Sequence, residues 1–417
     1  MSETELNPHN PPVPVRLDAD RWASRTIRKR ILAVVHTVTS GQRLMEAVRL
    51  LEGDARVQVC FTAAPDVFGH GVDAFLEGID GLVLPWDRAV QTPFDLALAA
   101  AYGGLHELHA PVVVLPHGAG HNKVVSRARP GHLRANPAAY GLNRQTLLHD
   151  GAVVPRAIVL AHHDELTRLG RECPEALPAA EVVGDPVCDR VAASLSCRAL
   201  YRKALGARPG QQLVLVTSTW GPHSLVAHDW DLLARLLTEL PREEYRVALT
   251  LHPNVWNAHG SWQIRSWLAG LARAGLVLVD QHAQWEGALV AADHIVGDHG
   301  SVTLYGVLTG APVLFAGAAD AVLDPASPLA ELRAVAPGLR AGRPLRAQLR
   351  RATVTYDRQA HERVAARLTS HPGAFAARMR TLMYRTLRLR AQSGTPAPEP
   401  ASLPRTVAYG EPGSVLS

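Results

Sequence analysis

The chain has 417 residues, of which 47% are hydrophobic and 19% charged, a balance that excludes a disordered or fibrous protein and leaves enough apolar mass for two well-filled cores. No run of about 18 apolar residues occurs, which excludes a membrane-spanning helix; the polar, acidic start lacks the basic-then-apolar order of a secretory leader, so a cytoplasmic protein is expected. The net charge of +5 hides an asymmetry, because between residues 328 and 392 fourteen arginines face only Glu331, Asp357 and Glu362, a pattern that suits an anionic partner or solvated helix faces.

Residues 1–24 are rich in Pro and Asn and are expected to form a loose arm. An apolar run at 31–35 predicts a strand, 37–41 a Ser/Gly turn, and 43–51 an amphipathic helix. Further strands are predicted at 57–61, 81–85, 111–115 and 157–160, with helices at 95–102 and 164–173. Strands that do not alternate with polar residues, separated by helices, imply a parallel sheet covered on both faces. Residues 201–210 resemble a linker, after which a second α/β unit begins with a strand at 212–216. Helix 230–240, strand 245–250, helix 261–274, and strands 276–279, 294–296 and 312–316 follow. The expected fold class is therefore α/β, two doubly wound Rossmann-like domains with a ligand cleft between them. The boundaries expected are an arm over 1–24, a first domain over 25–200, a second over 201–350, C-terminal helices over 351–392 that pack back on the first domain, and a disordered tail over 393–417.

The four cysteines, Cys60, Cys173, Cys188 and Cys197, show no C-x-x-C spacing, and the histidines show no H-E-x-x-H pattern. No structural metal is expected. G-x-G-x-x-G after the first strand, G-x-x-x-x-G-K-[ST] and G-x-S-x-G are all missing, so dinucleotide oxidoreductase, P-loop and α/β-hydrolase readings lose their main support.

Three loops follow strand carboxyl ends and should face the cleft. In 116–123, His117 stands at a strand tip between Pro116 and Gly118, where a general base can take a proton from an alcohol. Gly118 and Gly120 let the backbone come close to an acceptor, and Lys123 can bind phosphate as a point charge. In 250–254, His252 can stabilise a diphosphate leaving group as a cation or hydrogen-bond donor. The third loop, 297–301, runs from a strand into a helix for which Ser301 is the expected N-cap. Its small residues let the chain approach a ligand, and its free N–H groups suit a phosphate. Asp298, His299, Gly300, Ser301 and Val302, with Ser218 and Thr219 after the second domain's first strand, form the expected phosphate and nucleotide site.

The order of these motifs resembles the glycosyltransferase-B superfamily, and within it the CDP-glycerol glycerophosphotransferases that polymerise teichoic acids. Pro116-His117-Gly118-Ala119-Gly120 with Lys123 is similar to that family's His-Gly-Thr-Pro-Leu-Lys motif, and His252-Pro253 to its His-Pro pair. Residues 297–301 followed by 310–315 are similar to its Thr-Asp-Tyr-Ser-Ser segment and Lys-Pro-Val strand. The chain departs from the pattern at His299 and Gly300, which stand where the family has Tyr and Ser, and at Gly221, which stands where it often has Arg. Gly184-Asp185-Pro186 and the second domain also resemble UDP-N-acetylglucosamine 2-epimerases.

The resemblance implies a bacterial, metal-independent transferase of cell-envelope polymer or glycoconjugate synthesis. It would move a glycosyl or glycerophosphoryl group from a nucleotide-diphosphate donor to a hydroxyl acceptor (a sugar, polyol or polymer), with His117 and His252 as catalytic residues. No cofactor and no nucleic acid is expected; the nucleotide-linked donor is a substrate. The alternatives are a UDP-sugar 2-epimerase-like enzyme and a catalytically degenerate binder of nucleotide or anionic polymer. Peripheral contact with anionic membrane at the inner face is a further expectation, placed on the arginine-rich helix at 361–390.

Overall fold

The computed structural model describes residues 25–125, 138–317, 323–394 and 396–409; the arm expected over 1–24 lies outside them. The first sheet is built from β1 (Lys29–Val35), β2 (Val57–Ala63), β3 (Leu82–Val83), β4 (Leu96–Ala99), β5 (Val112–Val114), β6 (Ala157–Leu160) and β7 (Ala180–Val182). All its pairings are parallel, in the order β7-β6-β5-β4-β1-β2-β3. The second consists of β8 (Gln212–Ser218), β9 (Tyr245–Leu251), β10 (Val277–Leu278), β11 (His294–Gly297) and β12 (Val313–Phe315), also all parallel, in the order β10-β9-β8-β11-β12. Each order reverses direction once, between β1 and β4 and between β8 and β11, and the crevice outside the carboxyl ends of such a pair is where open α/β sheets bind ligands.

The helices that matter for the site are α1 (Val38–Val48), α2 (His163–Glu172), α3 (Pro186–Ser194), α4 (Arg198–Ala204), α5 (Pro253–His259), α6 (Ser261–Arg273), α7 (Ser301–Tyr305), α8 (Arg358–Ala366) and α9 (Phe375–Leu387). α1 starts earlier than its amphipathic pattern suggests. Thr37 accepts a hydrogen bond from the Ser40 N–H while the Ser40 hydroxyl accepts from the Thr37 N–H, a capping box that draws the expected turn into the helix.

Residues 95–102, expected as a helix, contain β4 instead. The Leu-Ala-Leu-Ala run has high helix propensity, but Ile31 pairs with Leu96 and Ala97 with Val112, and all four residues are buried. A short strand enclosed between two neighbours gains more from the ladder and two-sided burial than from local preference.

The cores divide the chain near 184–186 and not at residue 200. Val187, Val191 and the fully buried Tyr201 pack with Leu213, Leu289 and Ile295, so α3 and α4 belong to the second core, and the linker expected over 201–210 begins inside a helix that Tyr201 anchors there. Asp185 accepts from the N–H groups of Val187 and Cys188, and Pro186 occupies the first turn, which makes the crossover a capped helix start.

The expected single C-terminal helix is two. α8 lies on the second core through Val364, with Leu368 just beyond it. The chain then crosses back, where the Ser370 N–H bonds the Ala161 carbonyl and the Gly373 N–H the Asp189 carboxylate. α9 then seats Phe375, Met379, Leu382 and Leu387 in the first core. Pro372 sits in the break, where it cannot continue a helix.

The tail expected to be disordered over 393–417 is fixed over 396–409. Ala401 donates to Ser194 Oγ and accepts from the Tyr201 hydroxyl at 2.6 Å, and Thr406 bridges Val279 at the edge of the second sheet. Its low hydrophobicity did not predict this, because it is held by hydrogen bonds to the Ser194 and Tyr201 side chains and to the backbone at the edge of the second sheet. Among the described residues no helix is long and apolar enough to cross a membrane.

Candidate functional site

Loops from both switch points meet. The Ala119 N–H of the first domain donates to Ser301 Oγ of the second at 3.2 Å, Thr39 Oγ1 lies 3.4 Å from His252 Nε2, and the Phe68 and Trp220 rings meet at a tilt of 58° with centroids 4.6 Å apart. The first-domain loop 116–123 thus lies against α7, and the start of α1 against the start of α5. Gly118 is required by this closeness, since a Cβ there would lie 2.5 Å from Ser301 Oγ.

His117 follows β5. Its Nδ1 is 3.0 Å from the Ala100 carbonyl, which only accepts, so Nδ1 carries the proton and Nε2 presents a bare lone pair. The ring is exposed by surface area, yet protein from both sides crowds it. That desolvation, opposed by the Ala100 bond and reinforced by Lys123 and Arg43, pulls its pKa down to about 4. His252 caps α5: its Nδ1 accepts the Asn254 N–H at 3.1 Å, so in the neutral ring Nε2 carries the proton. Burial, Lys123 and His117 lower its pKa to about 3. The two rings are therefore neutral near pH 7 and hold opposite tautomers, His117 with a free acceptor and His252 with a donor that lies 3.4 Å from Thr39 Oγ1.

Lys123 stands with its ammonium 5.6 Å from the Trp220 ring centroid. Crowding in the cleft lowers its pKa, while the Asp298 charge opposes the shift.

The second-domain loops are arranged differently from expectation. Asp298 is fully buried, and its Oδ2 accepts from the Thr219 N–H at 2.9 Å, the Thr219 hydroxyl at 2.9 Å and the Leu225 N–H at 2.8 Å. Its Oδ1 accepts from the Gly300 N–H at 3.1 Å. The Ser218 hydroxyl lies between the Thr219 carbonyl and the Val226 N–H. Ser218, Thr219 and Asp298 thus direct their side chains into the protein, where they tie the loop after β8 to the loop after β11.

The helix expected to be capped by Ser301 is capped by Gly300, with no side-chain bond, and Ser301 is its first residue. The reason is that Ser301 Oγ is engaged by Ala119 across the cleft. A Cβ on Gly300 would lie 2.4 Å from Thr219 Cγ2, so the small residue lets two protein loops touch. What remains toward the cleft is the first turn of α7, whose N–H groups at Ser301, Val302 and Thr303 have no acceptor within the helix. His299 is buried with Nε2 3.4 Å from Thr219 Oγ1 and Nδ1 without a partner. Burial lowers its pKa against the raising effect of Asp298.

Several site residues carried no motif. Arg168 on α2 donates to the carbonyls of Gly120 at 2.7 Å and His121 at 2.6 Å, and to Asp324 of the second domain at 2.6 Å. The Asp324 N–H bonds the Asn122 carbonyl, and Asn122 Oδ1 accepts from Leu329. Beneath the loops, Arg43 donates to both Asp185 oxygens at 3.2 and 3.1 Å and to the Tyr305 hydroxyl at 2.8 Å, which donates to Asp185 at 2.7 Å. This triad joins α1, the crossover and α7. Its one legible signal was Asp185-Pro186 as a helix start; Arg43 and Arg168 lie in ordinary amphipathic helices.

No family model matches the chain, and no curated protein does. Among solved structures it is similar to the wall teichoic acid polymerase TagF, with TM-score 0.59 at 12% identity over 87% of this chain and 89% of that one. A variant of that polymerase soaked with CDPG gives TM-score 0.58 at 11% identity over the same shares. The S. aureus MnaA-UDP co-structure gives 0.51 at 12% identity, over 88% of this chain and 99% of that one. With two parallel sheets that join at facing switch points and a C-terminal helix returned to the first domain, the chain has the glycosyltransferase-B fold.

Proposed function

We propose that the chain is a metal-independent transferase acting between a nucleotide-diphosphate donor and a hydroxyl acceptor. The observation that carries this reading is the pair of neutral histidines in opposite tautomers on the two sides of the cleft. An acceptor hydroxyl gives its proton to His117 Nε2 as its oxygen bonds to the transferred centre. The bond from that centre to the leaving phosphate oxygen breaks, and the His252 Nε2–H donates to the oxygen that takes the electron pair. For a glycosyl group the nucleoside diphosphate leaves; for glycerophosphoryl transfer the nucleoside monophosphate leaves.

Lys123 and the N–H groups of Ser301, Val302 and Thr303 face the phosphates, with His299 beside them. Asp298, Ser218 and Thr219 hold that loop in shape without touching the donor. The likeness to structures holding CDPG and UDP supports a nucleotide-linked donor and makes those two bases the first to test.

The decisive test is His117→Ala. Turnover is expected to fall about 10²- to 10⁴-fold while nucleotide affinity stays nearly intact, and equal loss of both would remove the base from this role. A thermal-shift screen with CDP-, UDP-, GDP- and dTDP-linked donors identifies the base, because a ligand that binds only the folded state raises its apparent stability. An NMR time course with the sugar nucleotide alone separates transfer from epimerisation: conversion without acceptor favours the epimerase, and tight binding with no reaction across the donors favours a non-catalytic binder.

A further inference from the structure

The arginines concentrated near the C-terminus take no part in the chemistry above. On α9 the apolar side is buried in the first core through Leu382 and Leu387, and the last turn closes a cavity of about 470 Å³. The rest of the wall comes from the amino ends of strands. Lys29 opens β1, Asp95 precedes β4, Pro111 precedes β5 and Arg156 precedes β6. The cavity therefore lies at the opposite edge of the sheet from the cleft, which the strand carboxyl ends face; Pro111 and His117 stand at the two ends of β5.

Four cations and two acids line this cavity, and both acids are already engaged. Lys29 Nζ meets one Asp95 oxygen at 2.7 Å, while the Arg30 N–H donates to the other at 2.9 Å. Arg385 pairs with Glu181. Arg156 and Arg388 remain, both exposed, and among the described residues their guanidinium groups have no hydrogen bond or ion pair. Two uncompensated positive charges thus share one hollow with the buried apolar side chains of Phe94, Leu382 and Leu387.

The backbone at Arg388 is a second, independent observation. It ends α9 in the left-handed region, φ 53° and ψ 40°, where helices commonly place glycine because a Cβ is strained there. The other described non-glycine residues with positive φ are Asp80, His121 and Asp150, types that tolerate this region. Arginine is not such a type. The negative end of the helix favours a cation, but Arg385 already supplies one from within the last turn.

We propose that this cavity binds a small organic dianion, a phosphate monoester or a dicarboxylate, with its charge between Arg156 and Arg388 and its apolar body against Phe94, Leu382 and Leu387. Two like charges on one hollow repel each other, and a dianion replaces that repulsion with two attractions. Guanidinium groups bind both kinds of oxyanion through strong, often bidentate, charge-assisted hydrogen bonds. The volume suits a ligand of metabolite size.

The cavity shares no residue with the cleft, and its test uses no nucleotide. Binding of phenyl phosphate, phthalate and neutral benzyl alcohol to the full chain is measured by calorimetry at neutral pH, in low and in raised salt. Salt-sensitive binding of at least one dianion, and none of the alcohol, is expected; the dianion that binds more tightly identifies the head group. Arg156→Gln and Arg388→Gly should each weaken binding about tenfold or more, as expected for loss of a charge-assisted hydrogen bond. Arg388→Gly should melt no lower than the parent, because glycine suits the left-handed end of α9. Lys123→Ala, in the cleft, should leave the affinity for the dianion unaltered. No saturable binding of either dianion, equal binding of the alcohol, or binding that survives both arginine variants would each overturn the proposal. Loss on Lys123→Ala alone would place the ligand in the cleft and overturn it too.

Discussion

The two loops that form the site are stabilised in opposite ways. The second-domain loop at 297–301 is organised within its own domain, because one buried carboxylate, Asp298, collects donors from Thr219, Leu225 and Gly300. The first-domain loop at 116–123 has no such centre. Its carbonyls at 120 and 121 are held by Arg168, His117 and His121 bond the Ala100 and Tyr140 carbonyls of the same domain, and Ser301, Asp324 and Leu329 of the other domain hold Ala119 and Asn122. The loop at 297–301 is thus organised within one domain, while the loop at 116–123 draws contacts from both.

The comparison can be broken at its strongest point. His117→Ala should lower turnover about 10²- to 10⁴-fold, the range for loss of a positioned base, with nucleotide affinity by calorimetry little changed; His117 belongs to the loop that both domains hold. Asp298→Ala should act on the other property, nucleotide affinity and stability, with a loss of about 3 kcal/mol as several buried donors lose their acceptor, read from denaturant unfolding. Asp298→Asn should be nearly as damaging, because an amide nitrogen would point a donor at donors. If Asp298→Asn unfolds like the parent, the loop is not organised by this charge.

Arg168→Ala sharpens the contrast further. Freed carbonyls at Gly120 and His121 should let the base loop shift, so kcat falls about 10- to 100-fold, as small misplacements do, while nucleotide affinity stays level. A parallel fall in affinity would mean that the two loops are not independent. Tyr305→Phe, which removes one hydroxyl from a triad whose Arg43 and Asp185 remain paired, should cost about 1 to 2 kcal/mol of stability.

The smallest effect concerns pH. The His117 pKa is about 4 in the folded chain against an ordinary 6.5, so the unfolded chain takes up the proton first. Its contribution to stability is complete above about 6.5 and is lost as pH falls from there toward 4. His252, lowered to about 3, acts in the same direction and continues lower. The melting temperature should therefore decline on acidification over this range, and His117→Asn should make the decline shallower. kcat/KM should fall toward pH 4 as Nε2 becomes protonated.

Much of the fold was legible in the sequence, for a physical reason: apolar runs without alternation at 31–35, 57–61, 157–160 and 212–216 have few solutions other than strands buried on both faces. His117 and His252 were legible as candidates because each stands at a strand end, followed by a residue, Gly118 or Pro253, that fixes a turn. Where local preference competed with enclosure, at β4, the sequence pointed to a helix and the neighbouring strands decided otherwise.

Tertiary structure alone decided the partners. Ser301 resembled a helix cap until Ala119 of the other domain took its hydroxyl. Ser218 and Thr219 resembled phosphate ligands until Asp298 drew them inward. The glycines suited a ligand's approach, but at Gly118 and Gly300 the approaching atoms belong to the protein. Local sequence determines which backbone and side-chain groups are available; which of them are already satisfied depends on residues up to hundreds of positions away, brought into hydrogen-bond distance only by the tertiary fold.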